Sequence, residues 1–144
     1  MRFIRKLFGF KERKPKPRLF HDYFGLIQYN DDSKDWETVE NEIYYGGISG
    51  GETGPLDKSV KAIRHKIENI DKYWGVCEKD LRFIAESYDS IPKGMQINEL
   101  YKIAALCLYS DYWEICFETY DKYKWLYVGM QFEGDTLVSN TIDT

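Results

Sequence analysis

Three acids and three aromatic rings crowd one short stretch of this chain. Glu114 and Glu118 sit two positions either side of Cys116, Asp121 follows, and Tyr123, Trp125 and Tyr127 come at every second position after it. Two kinds of chemistry could use such a set. A carboxylate pair does general acid/base work only when burial or a close second carboxylate raises one pKa. No Ser/His/Asp, Cys/His or metal-ligand spacing accompanies these acids. Carboxylates set among rings suit protein recognition better, because rings bury large area at low entropic cost and acids steer and pair with Lys or Arg. Glu114, Glu118, Asp121, Tyr123, Trp125 and Tyr127 are therefore the candidate partner-binding residues. The expected partner is a basic protein, and no catalytic residue, metal ligand or cofactor is assigned.

Two other groups of residues invite chemistry and fall short of it. Gly46 to Gly54 holds five glycines, whose backbone N–H groups could surround a phosphate. The Walker motif needs Lys followed by Ser or Thr after its last glycine, and the dinucleotide fingerprint needs a different spacing; neither is present. Ser49 within Gly-Ile-Ser-Gly-Gly has a faint likeness to a serine-protease nucleophile loop, but the chain is too short for that double barrel. The segment reads as a flexible strand-to-helix connection. Cys77, Cys107 and Cys116 are odd in number and far in sequence from His21 and His65, which fits reduced, apolar thiols rather than disulfides or zinc.

Charge divides the chain. Met1 to Arg18 carries eight Lys/Arg against Glu12, a tail near +7, and the remaining 12 bases and 23 acids leave a body near −11. An acidic body repels nucleic acid and anionic lipid, whereas the tail favours anionic surfaces or stays solvated. Within the tail, Phe3, Ile4, Leu7 and Phe8 share one helical face with Arg5 and Lys6 beside it, so Phe3, Ile4, Arg5, Lys6, Leu7 and Phe8 are candidate membrane-contacting residues. A solvated basic extension is the competing reading, since about ten residues make a marginal helix. Pro15 and Pro17 suit an extended spacer. The expected organisation is an extension over 1–18 and one folded domain over 19–144.

The elements that must position the candidate residues follow from periodicity. Phe24–Tyr29 reads as a first strand, Asn30–Ser33 as a turn, and Trp36–Ile48 as a second strand, clearest at Glu42–Tyr45. Val60, Ile63, Ile67, Ile70 and Trp74 step by three and four, the mark of an amphipathic helix, with Asp57 as its N-cap and Lys58, Lys61, Lys66, His65, Glu68 and Asp71 toward solvent. Gly75 marks a corner before a second helix over Val76–Tyr88. A helical turn near Asn98–Tyr101 comes next, while Lys102–Tyr109 suits helix or strand. Trp113–Thr119 alternates cleanly, Leu126, Val128, Met130 and Phe132 line one face of another strand, and Thr136–Ile142 adds a last one. The fold class is α+β: an antiparallel sheet of about five or six strands with a helical pair packed on one face, in the order β-β-α-α-β-β-β.

Phe24-Gly25-Leu26-Ile27, Trp36 opening a strand, the helical segment, Glu114–Glu118 and Trp125–Phe132 together resemble small bacterial α+β domains of the kind found among toxin-immunity proteins. The resemblance covers most of Leu19–Ile142 and implies a protein that masks a toxin or effector. Asp121–Lys124 and Val128-Gly129 stand where such domains carry an Asp/Gly-rich hairpin and a Gly-His pair, so no functional residue is carried across. The leading expectation is a cytoplasmic, non-enzymatic protein-binding module, an immunity protein masking a basic toxin or effector. Two alternatives stand beside it: a peripheral protein at the inner membrane face, tethered through residues 1–18, and a small enzyme using Gly46–Gly54.

Overall fold

The computed structural model describes residues 16–144. Phe3, Ile4, Arg5, Lys6, Leu7 and Phe8 lie outside them. The elements run β1 (Arg18–His21), β2 (Gly25–Asn30), β3 (Asp35–Thr38), β4 (Tyr44–Gly46), β5 (Ile48–Gly51), β6 (Gly54–Pro55), α1 (Asp57–Glu68), α2 (Ile70–Glu86), α3 (Ile97–Leu100), β7 (Tyr101–Leu108), β8 (Trp113–Thr119), β9 (Tyr127–Glu133) and β10 (Thr136–Asp143). The class is mixed α+β with a helical pair, as expected. The single sheet is corrected: there are two five-stranded sheets, ordered β1-β2-β3-β5-β6 and β10-β9-β8-β7-β4.

One stretch of chain joins them. β4 pairs parallel with β7, and after Gly47 the same run continues as β5, antiparallel to β3. Gly47 sits at φ +72°, and a Cβ there would lie 1.9 Å from the Leu108 carbonyl oxygen. Only glycine both adopts that backbone and lets the two main chains meet so closely. Gly50 plays a similar part, since its Cβ would fall 2.3 Å from the Gly54 carbonyl oxygen. The Gly46–Gly54 segment is thus largely strand, not the flexible connection its composition suggests. Glycine carries no period-two signal, so pairing is invisible in it.

The core lies between the sheets and the helices. Across β8 and β9 the register sets Trp113 opposite Phe132, Ile115 opposite Met130 and Phe117 opposite Val128, all buried. Tyr73 of α2 meets Trp113 edge-on at 4.7 Å between centroids, and Trp74 meets Phe117 the same way at 4.7 Å. In the other sheet Ile27, Tyr29, Trp36 and Ile48 face inward, and the Trp36 indole N–H donates to the Gly51 carbonyl at 2.9 Å. Each such side chain, fully buried, contributes about 1.5–3 kcal/mol.

The helical corner falls at Asn69, not Gly75. Asn69 leaves helical geometry at φ −108°, and its side-chain amide donates to the His65 carbonyl at 2.7 Å, competing with the helix ladder. Gly75 lies exposed inside α2. Asp57 is the first helical residue rather than the N-cap, a position held by Leu56 with no side-chain cap bond. Lys66 is half-buried, its ammonium 4.8 Å above the Trp113 ring, so it does not simply face water.

Candidate functional site

Strand parity turns the odd-numbered core residues of β8 inward, and the alternate set builds the outer face of the second sheet. Its register makes three rows. Gly46, Cys107, Glu114, Gln131 and Ser139 form one; Tyr44, Ala105, Cys116, Gly129 and Thr141 the next; and Lys102, Glu118, Tyr127 and Asp143 the third. The middle row is floored by small residues. A Cβ on Gly129 would meet Glu114 Oε2 at 2.8 Å and Thr141 Oγ1 at 2.7 Å, so the glycine is what lets the Glu114 carboxylate lie down on the sheet.

A hydrogen-bond network holds that carboxylate. The Cys116 thiol donates to Glu114 Oε1 at 3.1 Å, Gln131 Nε2 donates to Oε2 at 3.1 Å, and the Ser139 hydroxyl donates in turn to Gln131. Tyr127 stands beside Cys116 and Tyr109 beside Cys107. Burial, then Glu114, pushes the Cys116 thiol up to about 12 and the Cys107 thiol up to about 11. Burial likewise raises Tyr109 to about 12 and lifts Tyr127 and Tyr44 further still. Tyr44 donates to Glu37 Oε2 at 2.6 Å, linking this face to the first sheet, where Gln28 bridges Arg18 and Glu37. Thiols kept protonated in this way are poor nucleophiles. Among the described residues no Lys or Arg lies within ion-pair distance of Glu114, Glu118 or Glu37.

The third row ends in an exposed ring. Trp125 is 49% exposed, its indole N–H donates to Glu118 Oε1 at 2.8 Å, and its ring stacks toward Tyr127 with centroids 6.3 Å apart. The connection before it is pinned by Thr119, whose hydroxyl donates to the Lys124 carbonyl at 2.7 Å and accepts from the Leu126 N–H at 2.9 Å. Trp125 is therefore held at the surface by its own hairpin.

Of the six residues singled out by pattern, Glu114, Glu118, Trp125 and Tyr127 share this face. Asp121 does not. It sits in the β8–β9 connection and lines a separate recess with Asn98, Glu99 and Tyr120. Tyr123 turns partly inward, packing against the core with its hydroxyl 3.5 Å from the Met95 sulfur, away from this face. Period-two counting carried past the end of β8 into an irregular loop, where parity has no meaning. Tyr44, Glu37 and Cys107 escaped notice because only long-range pairing brings them here, whereas Gln131 shares the period-two phase of Trp125 and Tyr127. Period two does set Cys107 two positions before Tyr109 and Gln131 two before Glu133.

Three adjoining recesses of about 310, 510 and 380 Å³ surround Asn98, bounded by α2, α3, the start of β7 and the β8–β9 connection. Trp74 lines two of them and Tyr120 two. Among the described residues no group of three His, Cys, Asp or Glu side chains is placed to hold a metal ion, and no helix is long and apolar enough to cross a membrane. All three cysteines are free thiols.

Comparison of the chain with protein-family models, with curated proteins and with solved structures found no match in any of the three.

Proposed function

We propose that this chain is a non-enzymatic protein-binding module whose outer sheet face covers a basic surface on another protein. The observation that carries it is the Trp125–Glu118 pair: a half-exposed indole held by a carboxylate beside a stacked Tyr127. Rings held rigid at a surface lose little entropy on contact, and carboxylates around them, with no cation at ion-pair distance among the described residues, select Lys and Arg. Glu114 and Glu37 extend the negative charge across both sheets. The mechanism is occlusion, in the manner expected of an immunity protein that masks a toxin or effector.

The test is affinity capture on the immobilised full chain from cells of its source, followed by direct binding to the recovered protein. A basic protein retained by the native chain should bind Trp125→Ala and Glu118→Lys at least about tenfold more weakly, a loss of about 1.4 kcal/mol. Equal affinity for both variants removes the assignment. The basic extension keeps a second reading in play, since eight Lys/Arg in residues 1–18 match an anionic membrane surface. Co-sedimentation with vesicles of anionic lipid, lost when those bases are replaced by Gln, would support it.

A further inference from the structure

We infer that the groove around Asn98 is a docking cleft for an extended, Arg- or Lys-bearing polypeptide segment of a partner protein. The inference rests on the protein-binding reading and adds a second contact region to it, at the end of the second sheet where Lys102 pairs across from Glu118.

Its lining mixes apolar and aromatic side chains with an acidic margin. Trp74 and Ile103 form part of the wall, with Tyr120 38% exposed beside them. Asp71, Glu78, Glu99, Asp121 and Glu42 contribute five carboxylates against the ammonium groups of Lys102 and Lys122. Glu78 is partly engaged by Arg82 at 3.2 Å, which leaves the others as the excess. Such a groove draws a cationic chain and rejects an anionic one.

The indole of Trp74 says what else the occupant must carry. Four tryptophans are present, and three of their N–H groups have acceptors: Trp36 on the Gly51 carbonyl, Trp113 on the Gly134 carbonyl and Trp125 on Glu118. Trp74 has none among the described residues, although its ring is half-buried against Phe117. Its N–H is not among the buried polar atoms, so it stays open to an incoming acceptor. A polypeptide backbone supplies carbonyls at regular spacing, and the exposed amide of Asn98 offers both a donor and an acceptor to the same backbone. Cationic side chains then reach the acids, and the Trp74 and Tyr120 faces favour a guanidinium over an ammonium. Together these features fit a peptide better than a small cation.

The experiment uses the full chain labelled with ¹⁵N, in which the four indole N–H groups give separate reporters. The probe is acetyl-Arg-Leu-Arg-Leu-Arg-amide, with acetyl-Glu-Leu-Glu-Leu-Glu-amide as its opposite. The Arg peptide should shift the Trp74 indole and the Asn98, Glu99 and Asp121 amides, and its affinity should fall about tenfold in Glu99→Lys/Asp121→Lys while surviving Glu118→Lys. Shifts confined to Trp125 and Glu118 would overturn the cleft and leave the sheet-face interface standing. Equal shifts from both peptides, or none at Trp74, also overturn it. Groove signals that move without peptide when Lys11, Arg13, Lys14 and Lys16 become Gln would give the cleft to the chain's own N-terminal segment, against a separate partner.

Discussion

The indole N–H of Trp125 donates to the Glu118 carboxylate at 2.8 Å, from the strand entry after the β8–β9 turn back to the strand before it. The bond fixes a large ring at the surface rather than in the core. Such a ring adds little to folding and, on the proposed protein-binding reading, much to contact. Trp125→Ala should therefore lower the unfolding free energy by less than about 1 kcal/mol, as for ordinary surface changes. Phe117→Ala, which empties a fully buried site beneath Trp74, should cost about 3–5 kcal/mol. Urea titrations of both variants check the contrast, and a large loss in Trp125→Ala would mean the ring is structural.

Two glycines should respond to alanine with opposite signs. Gly75 lies inside α2 with nothing within 4 Å of an added Cβ, so Gly75→Ala should stabilise by about 0.5–1 kcal/mol. Gly47→Ala places a Cβ 1.9 Å from the Leu108 carbonyl oxygen at φ +72°, and should destabilise by more than about 2 kcal/mol. Thermal unfolding of the pair reads both at once.

These two positions also show how far the residues alone revealed the fold. The alternation of Trp113, Ile115 and Phe117 and of Val128, Met130 and Phe132 was legible, because a sheet buried on one face leaves a period-two trace. The helical phase through Ile63, Ile67, Ile70 and Trp74 was equally plain, and it hid the break. The stripe stays in phase across Asn69, while glycine at 75 drew attention to a place where the helix simply continues. The division into two sheets was illegible because the crossing between them runs through Gly46, Gly47, Gly50 and Gly51, which pair through backbone alone. In the site, Glu114, Glu118, Trp125 and Tyr127 were legible by parity, whereas the partners that complete the face arrive from β3, β4 and β7.

Stability should fall in base. Burial raises the Cys77 thiol to about 12, and burial with the Glu114 bond raises Cys116 to about 12, from an ordinary value of 9.0. Between those values the unfolded chain has released protons that the folded chain retains. Stability is therefore complete below pH 9 and is lost as pH rises toward about 12. Urea midpoints at about pH 8 and about pH 10.5 should differ in that direction, and Cys77→Val should flatten the slope. A midpoint that rises with pH contradicts the burial of these thiols.

Gly129 should separate contact from folding on the outer face. Gly129→Ala meets only the ends of the Glu114 and Thr141 side chains, at 2.8 and 2.7 Å, and both can swing aside. The fold should survive with a loss near 1 kcal/mol or less, while the Glu114 carboxylate leaves its Cys116 and Gln131 donors. Reactivity of Cys116 toward a soluble disulfide reagent should rise as that bond is lost, and unchanged reactivity would place Glu114 elsewhere.

Titration calorimetry of the captured basic protein into the native chain and into Glu114→Lys/Glu118→Lys tests the proposed interface most directly. Matched unfolding curves, at least about tenfold weaker binding in the variant, and native affinity that declines with added salt are expected for a negatively charged, ring-bearing face. Equal affinity in the two proteins, or binding indifferent to salt, would contradict it.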